Sequence, residues 1–207
     1  MILYKTVKKQ AEAEQTIERS RFIAHVCPAE SREEAEAFIS RIKAEYKDAT
    51  HNVPAMVIGD RSQVQWASDD GEPQGTSGAP MVQMLVKEGI TNVGIVVTRY
   101  FGGIKLGTGG LVRAYTSSAK LGLEQAEVCC VREVTSLKVK ADYTFLGKIQ
   151  NMEKDGMFSI EDTAYEDKVT LTVYCDVENA EKVKTLIAGA TSGAAVFTEE
   201  KNILSKY

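Results

Sequence analysis

The spacing of hydrophobic and polar residues predicts a hairpin followed by a helix near the start of the chain. Ala11 to Ile17 and Arg21 to Val26 alternate as strands do, with Glu18-Arg19-Ser20 between them as the turn. Ser31 and Glu34 then form the capping box of a helix with one buried stripe. The residues predicted to form that stripe are Ala35, Phe38, Ile39, Ile42 and Tyr46.

A second hairpin and a long polar loop follow. Val53 to Ile58 and Gln63 to Ala67 alternate as strands around the turn-forming Gly59-Asp60-Arg61-Ser62. Residues 68–78 are polar and rich in glycine, which predicts a loop. From Pro80 the pattern is helical and ends at a glycine, Gly89.

The most apolar segment of the chain leads into its most glycine-rich one. Val93 to Phe101 has almost no polar interruption, which predicts a strand buried on both faces. Five of the nine residues from Gly102 to Gly110 are glycine. A helix is predicted directly afterwards, from Leu111 to about Gln125.

The pattern changes after residue 132. It predicts the order strand, helix, strand, strand, helix, strand, in which the first helix includes Leu146 to Met152 and the last strand is Ala194 to Thr198. This βαββαβ order is typical of a compact ferredoxin-like α+β sandwich. We therefore predict two domains, residues 1–132 and 133–207.

Composition narrows the possible classes of protein. The net charge of the 207 residues is −4, from 25 basic and 29 acidic side chains. Residues 1–132 contain 16 of each sign, so residues 133–207 contain 25 − 16 = 9 basic and 29 − 16 = 13 acidic ones. Proteins that bind nucleic acid without sequence preference usually carry a basic surplus. Any contact with a polyanion must therefore come from a local patch.

No signal peptide and no run of roughly 20 apolar residues is found, which predicts a cytoplasmic protein without a membrane span. The four cysteines show no CxxC spacing, and there are only two histidines. We expect reduced thiols and no metal or other cofactor. The sequence leaves the oligomeric state open.

The glycine-rich loop and its neighbouring cations form the first candidate site. Backbone amides of glycines at a helix start can converge on an anion, although the same glycines also suit a tight strand-to-helix corner. The loop matches neither the Walker motif, because Thr108 stands where lysine is required, nor GxGxxG. Instead of binding an anion, Arg99 could form a salt bridge with a carboxylate of the polar loop. The candidate anion- or RNA-binding residues are Arg99, Gly102, Gly103, Lys105, Gly107, Gly109, Gly110 and Arg113.

The acidic part of the polar loop is the second candidate site. Asp69, Asp70 and Glu72 are close enough in sequence to hold Mg²⁺, but acidic turns before a helix are also common because they complement its dipole. Ser77 lacks the GxSxG context, and His51 has no identifiable catalytic partner. We therefore assign no catalytic residue.

Three motifs at specific spacings resemble the YigZ/Impact family over about Glu18 to Ala126. They are His51-Asn52, then Asp69-Asp70-Gly71-Glu72-Pro73 with Gly75-Thr76 and Gly78, then Arg99-Tyr100-Phe101-Gly102-Gly103 with Lys105-Leu106-Gly107 and Gly110 to Tyr115. The resemblance implies a first domain like domain 2 of ribosomal protein S5 and a ferredoxin-like second domain. It also implies kinship with eukaryotic translation regulators. The family residues of the acidic loop are then His51, Asp69, Asp70, Glu72, Gly75 and Thr76.

These observations support three hypotheses. The first is a non-enzymatic, translation-associated factor that contacts the phosphate of RNA or of the ribosome, or an acidic protein, through the glycine-rich loop. The second is an enzyme that acts on a small phosphorylated substrate with Mg²⁺ at the acidic loop. The third is a protein-interaction module alone.

Overall fold

The structure, a computed structural model, describes residues 2–207 and contains two compact units. Residues 2–131 and 206–207 form the first unit, and residues 132–205 form the second. The strands are β1 (Ile2–Val7), β2 (Ala11–Ile17), β3 (Ser20–Pro28), β4 (His51–Ile58), β5 (Val64–Ala67), β6 (Val93–Tyr100), β7 (Val128–Ala141), β8 (Phe158–Tyr165), β9 (Val169–Asp176) and β10 (Val196–Lys206). The helices are α1 (Arg32–Glu45), α2 (Gly78–Glu88), α3 (Gly107–Gln125), α4 (Tyr143–Met152) and α5 (Ala180–Ala190), with 3₁₀ helices at Glu153–Asp155 and Val177–Asn179.

The first unit is an antiparallel sheet with helices on both faces. Its strand order is β2-β3-β6-β4-β5, so β6 lies at the centre. Ile95 and Val97 of β6 belong to the core formed with α2 and α3, whereas Val96 belongs to the core formed with α1. Because successive side chains of a strand point to opposite faces, this division confirms the prediction that the strand is buried on both faces.

Local sequence signals set the helix ends much as predicted. The Ser31 hydroxyl accepts a hydrogen bond from the Glu34 amide, and the Glu34 carboxylate accepts one from the Glu30 amide. Gly89 ends α2 with φ of +70°, a left-handed conformation that glycine adopts without steric cost. Both predicted hairpins of this unit are present as β2–β3 and β4–β5.

Two features of the first unit differ from the prediction. Helix α3 begins at Gly107, four residues before the predicted start at Leu111. The added turn consists of Gly107, Thr108, Gly109 and Gly110, which carry no large apolar side chain, so hydrophobic spacing could not reveal it. Strand β1 was not predicted at all.

The second unit has the predicted element order, and β7, β8, β9 and β10 are its strands. In its sheet β9 lies between β7 and β8, and β10 is also paired to β7. The last strand, Val196–Lys206, is much longer than the predicted Ala194 to Thr198. Its residues 199–206 are mostly polar, so they gave no strand pattern to detect. Residues 206–207 fall in the first unit, where Tyr207 and Cys130 exchange two backbone hydrogen bonds. The assignments to the S5 domain 2 and ferredoxin-like folds remain predictions.

Candidate functional site: a buried ionic network and the adjoining glycine-rich loop

A buried ion pair joins the acidic loop to the central strand. Arg99, near the end of β6, is only 4% exposed, and Glu72 is 8% exposed. The Arg99 guanidinium donates to Glu72 Oε1 at 2.6 Å, and the Tyr115 hydroxyl of α3 donates to the same oxygen at 2.7 Å. The interpretation of Arg99 as a cation facing a phosphate is therefore revised. It is the partner of a loop carboxylate, which was its alternative role.

Ser20 and two aromatic rings complete the surroundings of this guanidinium. The Ser20 hydroxyl accepts hydrogen bonds from Arg99 Nη2 and from the Gly102 amide, both at 3.2 Å. The guanidinium carbon lies 5.3 Å from the centre of the Phe22 ring and 5.5 Å from that of Phe101, distances typical of cation–π contacts. Arg99 is therefore fixed by contacts from several directions.

His51 lies at the edge of the same network. It is paired with Arg99 in the β4–β6 register, and its Nδ1 lies 2.8 Å from the carbonyl oxygen of Asp70. Because a carbonyl can only accept, this contact places a proton on Nδ1. The other ring nitrogen, Nε2, lies 3.8 Å from Glu72 Oε1. His51 thus links β4 to two residues of the acidic loop.

Asp69 organises the loop around the start of α2. Its carboxylate accepts hydrogen bonds from the amides of Gly75, Ser77 and Gly78 at 2.7–3.1 Å, and from the Ser77 hydroxyl at 2.7 Å. Desolvation raises the pKa of Asp69, but these hydrogen bonds together lower it below its ordinary value. Thr76 donates its hydroxyl hydrogen to the Pro73 carbonyl at 2.6 Å, which tightens the same turn.

Asp70 has other partners than the two remaining carboxylates of the loop. It forms an ion pair with Lys43 of α1 and accepts a hydrogen bond from the Asn52 amide at 2.6 Å. The three acidic side chains therefore have three different sets of partners and do not converge. This geometry gives no support to the magnesium alternative, since a shared cation needs oxygen ligands arranged around one point.

Burial of Tyr115 has an electrostatic consequence. The residue is fully buried, and its hydroxyl is next to a carboxylate. Desolvation, and then the hydrogen bond to Glu72, raise the pKa of Tyr115 far above its ordinary value. The hydroxyl is therefore a permanent donor at physiological pH, and it holds Glu72 in place from the helix side.

The glycine-rich loop begins with a close backbone contact. A Cβ atom at Gly102 would lie 2.0 Å from the carbonyl carbon and oxygen of Arg19, so only glycine fits beside the β2–β3 turn. Gly107 has φ of +69° where the loop enters α3, Gly103 has φ of +85°, and a Cβ at Gly110 would lie 2.9 Å from Leu106 Cβ. The corner interpretation therefore accounts for several of these glycines, while a Cβ at Gly109 would meet only Arg113 Nη1 at 3.8 Å, an ordinary contact.

The start of α3 nevertheless has free donors and unpaired cations. In the described part of the chain, no side chain caps this helix start, where the amides of Gly107, Thr108 and Gly109 lie. Exposed Lys105 and Arg113 line one groove of about 400 Å³ beside it, and within residues 2–207 neither of them forms an ion pair. Leu106 and Gly110 also line this groove, whereas Gly107, Thr108 and Gly109 do not, so the two cations lie in the groove and the positive end of the helix lies beside it. Arg99 does not line it.

Sequence reasoning missed part of this arrangement. Ser20 carries no motif, and it reaches Arg99 from 79 positions away, so no local signal could have identified it. Tyr115 stood within a family motif, but its bond to Glu72 depends on how α3 packs. Arg19 is an exposed cation without an ion pair in residues 2–207, and it lies beside Gly102.

Other kinds of site find little support among the described residues. No group of three or more His, Cys, Asp or Glu side chains in residues 2–207 could hold a metal ion. The four cysteines are free, and burial raises the pKa of the Cys27, Cys129 and Cys175 thiols, which disfavours the reactive thiolate. None of the helices between residues 2 and 207 is both long and apolar enough to cross a membrane.

Comparison with known proteins finds similarity over nearly the whole chain. Residues 18–123 match the Impact N-terminal domain, and residues 139–194 match a domain of unknown function, DUF1949. The chain is 40% identical to the IMPACT family member YvyE of Bacillus subtilis over 196 residues, 95% of this chain and 90% of that protein. It is 40% identical to the IMPACT family member YigZ of Escherichia coli over 136 residues, 65% of this chain and 67% of that protein. A crystal structure of a hypothetical protein, 31% identical, covers 96% of this chain and 98% of its own, with a TM-score of 0.58.

Proposed function

The chain belongs to the IMPACT family, and on that premise we propose that it is a translation-associated regulatory factor that binds RNA phosphate. It acts in the cytoplasm on the ribosome or on free RNA, and it does so without catalysing a reaction. The family resemblance supports the link to translation, and the groove at the start of α3 supports phosphate as the chemical group that is bound.

The observation that carries the proposal is the position of two unpaired cations at an uncapped helix start. Lys105 and Arg113 line the same groove, and neither has an ion pair within the described residues. The two cations and the positive end of the neighbouring helix both favour an anion there, and phosphate oxygens accept hydrogen bonds from both side chains. Glu18 also lines the groove, so the positive potential is confined to the side of α3.

Phosphate contacts of this kind orient a protein on RNA but do not read its sequence. The net charge of −4 agrees with binding through a single local patch, because an acidic molecule repels RNA over the rest of its surface. We therefore expect binding that is weak in high salt and insensitive to base sequence.

The proposal is tested by binding to purified ribosomes and to a structured RNA over a salt series. Lys105→Ala and Arg113→Ala should each weaken binding and reduce the salt slope by about one. Arg61→Ala is the matched control, because it removes an exposed cation from the β4–β5 turn, at the far end of β4 from His51. Circular dichroism establishes that each variant is folded.

Two outcomes would overturn the proposal. One is RNA or ribosome binding that the double variant Lys105→Ala/Arg113→Ala leaves unchanged. The other is no binding to any RNA at low salt, together with binding to polyglutamate that depends on the same two cations. The second result would assign the groove to an acidic protein partner instead.

A further inference from the structure

Phe101 is an exposed aromatic ring four residues before Lys105, a cation of the proposed phosphate site. It follows directly on β6, whose residues 93–99 are buried, yet it is 47% exposed. A single exposed apolar residue is ordinary on a protein surface. This one lies against the buried Arg99 guanidinium and directly precedes the glycine-rich loop, which makes its position significant.

The backbone on both sides of the ring is anchored, and the ring itself contacts a buried cation. The Phe101 amide donates to the Thr50 hydroxyl at 3.0 Å, and the next residue, Gly102, is fixed against the backbone of Arg19. The Arg99 guanidinium, itself buried, lies 5.5 Å from the ring centre. An exposed ring that is already ordered loses little conformational entropy when a flat ligand stacks on it.

Lys105 follows four positions after the ring, and the backbone of Arg19 lies against Gly102, the residue next to the ring. Gly102 joins it to the β2–β3 turn, where Glu18 and Arg19 have left-handed φ values of +46° and +64°. Such values are unfavourable for residues other than glycine, and they persist only where surrounding contacts fix them. The groove is lined by Glu18 of this turn, by Lys105 of the glycine-rich loop and by Arg113 of α3.

We propose that the ligand of this region is single-stranded RNA, with one base stacked on Phe101 and the adjacent phosphates contacted by Arg19, Lys105 and Arg113. This inference rests on the proposed function, which it makes specific for unpaired strands. An aromatic ring beside a cationic groove is the combination by which proteins bind single strands without sequence preference. The bases of a duplex are stacked on one another and cannot reach such a ring.

The test measures the affinity of a labelled single-stranded RNA of 12 nucleotides and of the matching duplex by fluorescence anisotropy. Phe101→Leu should weaken single-strand binding by about 5- to 150-fold, the range for one base–aromatic contact, without changing the salt slope. Phe101→Tyr should retain the affinity, because it preserves the stacking surface. Trp66→Leu is the matched control, since Trp66 is another exposed ring of the first unit, 39% exposed.

The outcomes separate this inference from the function on which it rests. If Phe101→Leu leaves single-strand affinity unchanged while Lys105→Ala and Arg113→Ala weaken it, the stacking proposal is wrong and phosphate binding stands. Equal affinity for single strand and duplex would also overturn stacking. If no RNA binds at low salt, both proposals fail. Arg19→Ala should reduce the salt slope as the other two cation variants do.

Discussion

Replacing Arg99 with methionine tests whether the acidic loop is held by a buried charge pair. Methionine keeps much of the side-chain volume but leaves Glu72 without its ionic partner. Removing one member of a buried pair typically costs about 3–5 kcal/mol, because the remaining charge is uncompensated. Glu72 retains the Tyr115 hydroxyl at 2.7 Å and His51 at 3.8 Å, so we expect the lower end of that range, about 3 kcal/mol.

A second variant distinguishes lost charge compensation from lost packing. In Arg99→Met/Glu72→Gln no charge is left buried, and the amide oxygen can still accept from Tyr115. The free energy of unfolding of this double variant should exceed that of Arg99→Met by about 1–2 kcal/mol. If packing alone mattered, the second substitution would bring no recovery.

The fluorescence of Trp66 makes it possible to follow unfolding of the first unit. This residue is the only tryptophan of the chain and lies on β5, so its fluorescence in a urea titration reports the first unit. Arg32→Met is the control, because it breaks the exposed pair between Arg32 and Glu36 and should leave the urea midpoint unchanged. A cost below about 1 kcal/mol for Arg99→Met, or a double variant less stable than the single one, would refute the reasoning.

Two further predictions follow from the same structure. Because the pKa of Tyr115 is raised on folding, its contribution to stability is complete below the ordinary value of about 10 and is lost as the pH rises above it. The urea midpoint of the native chain should therefore fall more steeply between pH 9.5 and about 11 than that of Tyr115→Phe, and parallel curves would contradict this. Gly102→Ala should destabilise the protein by about 1–3 kcal/mol or more, because its Cβ would clash with Arg19. Gly147→Ala in α4 should stabilise it by up to about 1 kcal/mol, because a Cβ there meets nothing within 4 Å. Thermal melts followed by circular dichroism measure both effects. Equal melting temperatures for the two glycine variants would show that the contact at Gly102 is relaxed easily.

Hydrophobic spacing predicted most elements of the fold, because each depends on which residues face the core. It failed where that signal is absent. The first turn of α3 is glycine and threonine, and residues 199–206 of β10 are mostly polar, so neither gave a pattern to detect.

The candidate site was predictable only in part. Motif spacing identified Glu72, Asp69, Asp70 and Arg99 as special, and it left the choice of the carboxylate that pairs with Arg99 open. That choice depends on the β4–β6 register and on Tyr115 of α3, which are properties of the folded chain. The sequence therefore indicated the participants, but their pairing required the structure.

The anchoring of the acidic loop limits how this segment can change in evolution. Asp69 is bound to the start of α2, Asp70 to β4 and α1, and Glu72 to β6 and α3, all within four consecutive positions. Inserting or deleting one residue between positions 69 and 72 would shift at least one carboxylate out of reach of its partners. The length of this short stretch is thus as constrained as the identity of its residues, although loops elsewhere usually tolerate such changes.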